Sequence, residues 1–190
     1  MNFLGHLYFS HDNHELMVAN LFGDHFYGKH YTHLPEIIQQ GILLHRQIDD
    51  YTDTHPAVKS LRLALYQELP KVAGIAIDLY FDHLLALNWA DFHNTPYAAY
   101  LNDFYAFQSM HINQYPKDFC AFLDQLKVKK WMNHYGSDFG LHKSCEGVGN
   151  RLSFPNALHL APDVYKVNSR IVESTFHEFM HDACSRFNIT

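Results

Sequence analysis

Between Val72 and Trp89 the chain reads VAGIAIDLYFDHLLALNW, a run that is apolar on nearly every side when wound as a helix and is interrupted by Asp78, Asp82 and His83. A helix apolar all round has no face for water and belongs at the centre of a fold. The rest of the chain must therefore wrap it. With 47% hydrophobic residues, 15 Phe and 12 Tyr against 18% charged residues, enough apolar surface exists to do so, and wholesale disorder is excluded. At 190 residues, and about 150 per domain, the expectation is one domain spanning residues 1–190.

The flanking segments repeat apolar residues at spacings of three and four, the helical period, and none alternates as a strand would. A helix is predicted from about Asn13 to Tyr27, with Asp12 or Asn13 as its N-cap and Gly28 ending it. Pro35 opens the next, along Ile37, Ile38, Gly41, Leu44, His45, Ile48 and Asp49 to Asp53. His55-Pro56 starts another, to about Leu69. Further helices are expected over about 96–112, 116–127, a short one over 129–135, 138–151 and 163–187. Eight or nine helices with short connections make an all-α domain without repeat or linker.

Several classes of function are disfavoured. No apolar stretch approaches the roughly 18 to 20 residues that span a bilayer. The opening Met1-Asn2-Phe3-Leu4-Gly5-His6-Leu7 lacks a basic region, so a secretory leader is not expected. Three scattered cysteines, Cys120, Cys145 and Cys184, suggest neither a disulfide framework nor a zinc-thiolate site, and a reducing cytoplasm is the expected compartment. A formal charge of -6 without a long Lys/Arg run argues against nucleic acid.

Histidine is the compositional anomaly, at 16 of 190 residues. In the central helix Asp78 and Asp82 are one turn apart on one face, with His83 turned about 100° away. Two buried carboxylates so placed repel unless a cation or protons neutralise them; the alternative is that one pairs with an arginine and the other caps a turn. His45 and Asp49 form an i,i+4 pair beside apolar Leu44 and Ile48, and Arg46–Asp50 forms a second pair that on its own reads as a solvated helix contact. Asn20 and Asp24 share a face, with Gly23 allowing a close neighbour. Together with His6 these residues form an oxygen-rich set with imidazoles. That mixture suits Mn²⁺ or Mg²⁺, with Fe²⁺ or Zn²⁺ possible, and suits activation of water against a phosphoester. A rival is His177-Glu178-Phe179-Met180-His181, an H-E-x-x-H of the zinc-protease type. Only nine residues follow it, leaving no room for a downstream ligand, so a structural role is expected.

The opening MNFLGHL, the ANLFGD of Ala19 to Asp24, the GILLHRQID of Gly41 to Asp49 with Thr52-Asp53 after it, and the IDLYFDHLL of Ile77 to Leu85 leading to Trp89 resemble the acyl carrier protein phosphodiesterase family in order and spacing. That likeness is specific over about the first 90 residues. The family resembles a divergent branch of the HD-type metal-dependent phosphohydrolases, although here the central doublet reads Asp82-His83 rather than His-Asp.

The resemblance implies an HD-like fold and removal of 4′-phosphopantetheine from holo-acyl carrier protein by metal-activated water. It implies Asp24, Asp49, Asp78 and Asp82 as first-choice ligands of a divalent ion, Mn²⁺ foremost. His6 and His45 are further ligands, with Asn20 behind them. Arg46 would stabilise the phosphoryl oxygens, and His83 or His45 would protonate the leaving alkoxide. Carrier proteins of this kind are acidic, so a basic docking patch is expected at Lys59 and Arg62 or at Lys127, Lys129 and Lys130. Two other readings fit the same residues: a phosphohydrolase of nucleotides or other small phosphoesters, and a non-catalytic metal- or carrier-binding protein.

Overall fold

The computed structural model describes residues 1–189 and is all-helical, with no strand among them. Ten α-helices are present: α1 Phe3–Tyr8, α2 His14–Gly23, α3 Glu36–Thr54, α4 Pro56–Leu65, α5 Ala73–Leu87, α6 Trp89–Phe92, α7 Tyr97–Ala106, α8 Lys117–Lys129, α9 Asp138–Gly149 and α10 Ala161–Arg186. The expected count was eight or nine. The segment at 129–135 forms a 3₁₀ turn, Trp131–His134, while the six residues of α1 and the four of α6 are additional helices. No helix among the described residues is long and apolar enough to cross a membrane.

The central helix is α5, packed against α1, α4, α9 and α10. Phe81 meets Phe176 and Phe179 of α10 at ring distances of 5.5 and 5.2 Å, and the Tyr80 hydroxyl donates to the Ala161 carbonyl at 2.6 Å. These side chains are fully buried, so the apolar run is enclosed as its composition requires. Phe179 is also the middle of the H-E-x-x-H segment. Its His177, Glu178 and His181 are exposed, and His181 bonds the neighbouring Asp182.

Caps set several boundaries. The Asn13 side chain accepts the Leu16 amide and starts α2, and Ser137 accepts the Gly140 amide and starts α9. α2 ends at Gly23, earlier than the sequence suggests, because Phe26 folds back onto Phe22 at 5.7 Å and the chain turns at Gly28, where φ is +115°. α7 likewise stops at Ala106, since Phe107 is extended. α4 closes at Leu65, and a turn through Leu69, whose amide bonds the Leu65 carbonyl, leads to α5.

α2 and α3 cross closely. A Cβ on Gly41 would fall 2.3 Å from the backbone of Ala19, and one on Gly23 would fall 2.4 Å from His45. Those absent methyl groups bring the α3 histidine against α2, which positions the cleft described next. The three cysteines are unpaired, and burial pushes the Cys145 thiol up to about 12.

Candidate active site

α1, α2, α3 and α5 line a cleft of about 270 Å³. His6 comes from α1, Asp24 from the end of α2, His45, Asp49 and Asp53 from α3, and Asp78 from α5. Successive fourth residues of α3 place His45, Asp49 and Asp53 on one stripe facing the opening. Asp53 was not among the expected site residues, although the same i,i+4 spacing pointed to it.

His6 and His45 stack with ring centroids 4.1 Å apart and planes 15° from parallel. Stacking aims both Nε2 atoms at one carboxylate. Asp49 Oδ1 lies 3.2 Å from His6 Nε2, and Oδ2 lies 3.1 Å from His45 Nε2. Burial alone would raise the Asp49 carboxyl, but the neighbouring imidazoles, His45 foremost and then His6, outweigh it and hold the group well below the usual carboxylate range. Ligand atoms of His6, His45 and Asp49 all lie within 4.8 Å of one another, so this trio can hold a metal ion.

The protonation of His6 follows from its neighbours. Asn20 Nδ2 donates to the His6 carbonyl at 2.9 Å and to Ser10 Oγ at 3.1 Å, which turns Asn20 Oδ1 toward His6 Nδ1 at 3.0 Å. An amide oxygen only accepts, so Nδ1 carries the proton. Burial lowers the His6 pKa, so the ring is neutral near pH 7 and Nε2 presents a lone pair. That lone pair faces two oxygens, Asp49 Oδ1 and the Met1 carbonyl at 3.1 Å. Three electron-rich atoms so close repel unless a cation lies among them, and two imidazoles with a carboxylate are donors that divalent transition ions accept.

The α5 carboxylates divide the N-terminal segment between them. Asp78, on the cleft wall, pairs with the Met1 amino group at 2.9 Å; burial raises its carboxyl and the ammonium opposes that rise. Asp82 does not reach the cleft. It is buried beneath α1 and accepts backbone amides from Asn2 at 3.2 Å, Leu4 at 2.8 Å and Gly5 at 3.1 Å, acting as the cap of a helix with no local one. Burial pushes its carboxyl up to about 7 against those bonds and the nearby amino group. His83 donates from Nδ1 to the Tyr135 carbonyl at 2.6 Å and packs edge-on against Tyr165; it too lies off the cleft, and burial lowers its pKa.

Asp24 lines the cleft with its side chain exposed, and Asn20 stands behind His6. Arg46 donates to the Gly28 carbonyl at 2.6 Å and lies over the Tyr31 ring, fastening the 24–34 loop rather than lining the cleft. Of the basic residues, Arg62 bonds Asp53 at the cleft edge at 3.3 Å, and Lys59 on the same helix is exposed. Lys127 donates to the Phe107 carbonyl at 2.6 Å, Lys129 lies over Trp131, and Lys130 lies over Tyr105.

Fold and cleft together define an all-helical domain carrying a His–His–Asp group able to hold a metal ion. The family model described as acyl carrier protein phosphodiesterase matches residues 1–183, and the chain belongs to that family. A relative from Salmonella agona (strain SL483), named acyl carrier protein phosphodiesterase, is 31% identical over 152 residues, covering 80% of this chain and 79% of its own. Proteins of the same name from Salmonella newport (strain SL254), at 31%, and Salmonella paratyphi A (strain ATCC 9150 / SARB42), at 30%, match over the same shares. No solved structure matches the chain. The family read from the first 90 residues is thus the family shown, and the match continues well beyond them.

Proposed function

We propose that this protein hydrolyses the phosphodiester joining 4′-phosphopantetheine to the serine of holo-acyl carrier protein, releasing the arm and the apo-carrier, with His6, His45 and Asp49 holding a divalent ion, Mn²⁺ foremost. The observation that carries the reading is the convergence of His6 Nε2, His45 Nε2 and the Asp49 carboxylate in a cleft walled by Asp24, Asp53 and Asp78. When bound, such an ion lowers the pKa of water and offsets charge on the phosphoryl oxygens.

The protein's own groups supply the rest. Asn20 holds His6 in the tautomer that keeps Nε2 free of a proton. Asp24 and Asp78, on opposite helices, are placed to accept a proton from water as it attacks phosphorus. Asp82 acts at a distance by anchoring α1, and through it His6. His83 is engaged by Tyr135 away from the cleft and His45 Nε2 would be taken up by the ion, so the carboxyl that accepts the water proton is the group left to return it to the departing serine oxygen. A docking patch at Lys59 and Arg62 adjoins the cleft through the Arg62–Asp53 contact.

The test is incubation of the purified protein and Mn²⁺ with holo-acyl carrier protein, followed by intact mass. The expected result is loss of the mass of the prosthetic group. A carrier left intact, with small phosphoesters hydrolysed instead, would replace this reading with that of a general phosphohydrolase.

A further inference from the structure

Beside the cleft lies a larger cavity of about 440 Å³, between the N-terminal segment, the Trp131–His134 turn and α9. The two spaces share Asn2, Phe3 and Val148, so those three residues are all that stands between them. Their linings differ in kind. The cleft is carboxylate-rich, whereas rings of Phe3, Trp131 and Phe139 wall the groove, with Asn2, His134, Lys143, Ser144 and Arg151 supplying polar groups and no carboxylate among the described residues. Phe139 is 60% exposed, an unusual place for a phenylalanine that serves only the core.

Gly147 lies near the end of α9, facing the groove, and a Cβ built on it would meet nothing within 4 Å. A glycine in a helix costs about 0.5–1 kcal/mol relative to alanine. Packing does not require it here, since the space is open. Its effect is to keep the groove clear alongside the aromatic wall.

We propose that this groove holds the arm of the substrate beyond its phosphate: an extended chain of two amides separated by methylenes and ending in a thiol. This rests on the function proposed above. A phosphodiester seated at His6, His45 and Asp49 has two substituents. The protein substituent is too large for a cavity of this size and must stay on the solvent side, while a slender arm fits a groove that adjoins the cleft at Asn2, Phe3 and Val148. Alternating amide and aliphatic segments suit a groove in which aromatic rings and hydrogen-bonding side chains are interspersed. The structure thereby assigns Phe139, Trp131 and Gly147 to recognition of the arm.

The test uses pantetheine, the arm without its phosphate, added to the full-length protein. Trp131 lines the groove while Trp89, the other tryptophan, is 4% exposed in the core, so indole fluorescence reports on the groove. The expected result is a saturable change in the wild-type protein that is lost in Gly147→Phe and weakened several-fold in Phe139→Ala, whose exposed ring can be removed without unfolding the chain. In turnover, Gly147→Phe should raise KM for holo-carrier at least ten-fold and change kcat at saturating carrier much less. Equal pantetheine binding by wild type and both variants, or an unchanged KM in Gly147→Phe, would overturn the assignment. Fluorescence needs no turnover, so it decides the groove even if wild-type protein leaves holo-carrier intact, which is the separate failure of the function reading.

Discussion

The side-chain oxygen of Asn20 accepts the Nδ1 proton of His6 at 3.0 Å, with both residues buried. Everything Nε2 can do in the cleft depends on that bond. Replacing Asn20 with leucine, similar in size but without the oxygen, should lower affinity for Mn²⁺ by about 10–100-fold, the usual effect of removing a partner that orients a ligating histidine. Titration of the apo-protein by calorimetry measures it, and turnover should recover in part at high metal concentration. Unchanged affinity would show that His6 is not a ligand.

Asp82 should prove more important to stability than Asp78. Asp82→Ala leaves the Asn2, Leu4 and Gly5 amides without an acceptor, at a cost of about 3 kcal/mol. For a chain of this size that corresponds to a Tm lower by roughly 6–12 °C. Asp78→Asn, at a half-exposed position, should change Tm much less and act mainly on turnover. A thermal melt of Asp82→Ala that overlays the wild type would refute the anchoring role.

Removal of divalent ions should abolish turnover, and Mn²⁺ should restore it. Saturation at a hundred times Kd stabilises a folded protein by about 2.7 kcal/mol, here roughly 5–10 °C in Tm. The shift should vanish in Asp49→Ala, whereas Glu178→Gln, in the exposed H-E-x-x-H segment, should behave as wild type. Full activity in chelated, metal-free protein would eliminate the proposed chemistry.

For carrier docking, the double variant Lys59→Glu with Arg62→Gln should raise KM for holo-carrier about five-fold and flatten its dependence on salt, with a small phosphodiester cleaved as before. Charge changes at Lys129 and Lys130, which lie over the Trp131 and Tyr105 rings and pair with no cleft carboxylate, should have less effect. Identical salt profiles for wild type and the double variant would remove Lys59 and Arg62 from the interface.

Local pattern was enough to establish the all-α class, the buried central helix and the pairing of His45 with Asp49, because each depends on residues three or four apart and helical geometry alone places them together. The motifs around His6, Asp24, His45 and Asp78 also carried the family. Tertiary structure decided what each carboxylate does. Asp78 and Asp82 are equivalent by spacing, yet one lines the cleft and the other caps α1, a difference set by a segment more than seventy residues away in the chain. His83 has the same apolar surroundings in sequence as a ligand would have, but its ring meets the Tyr135 carbonyl. The stacking of His6 on His45 depends on the close crossing of α2 and α3 at Gly23 and Gly41, where the needed information is the space a side chain would occupy in a neighbouring helix. Periodicity gives the direction of a side chain from its own helix axis; what stands opposite it is fixed only when the helices pack.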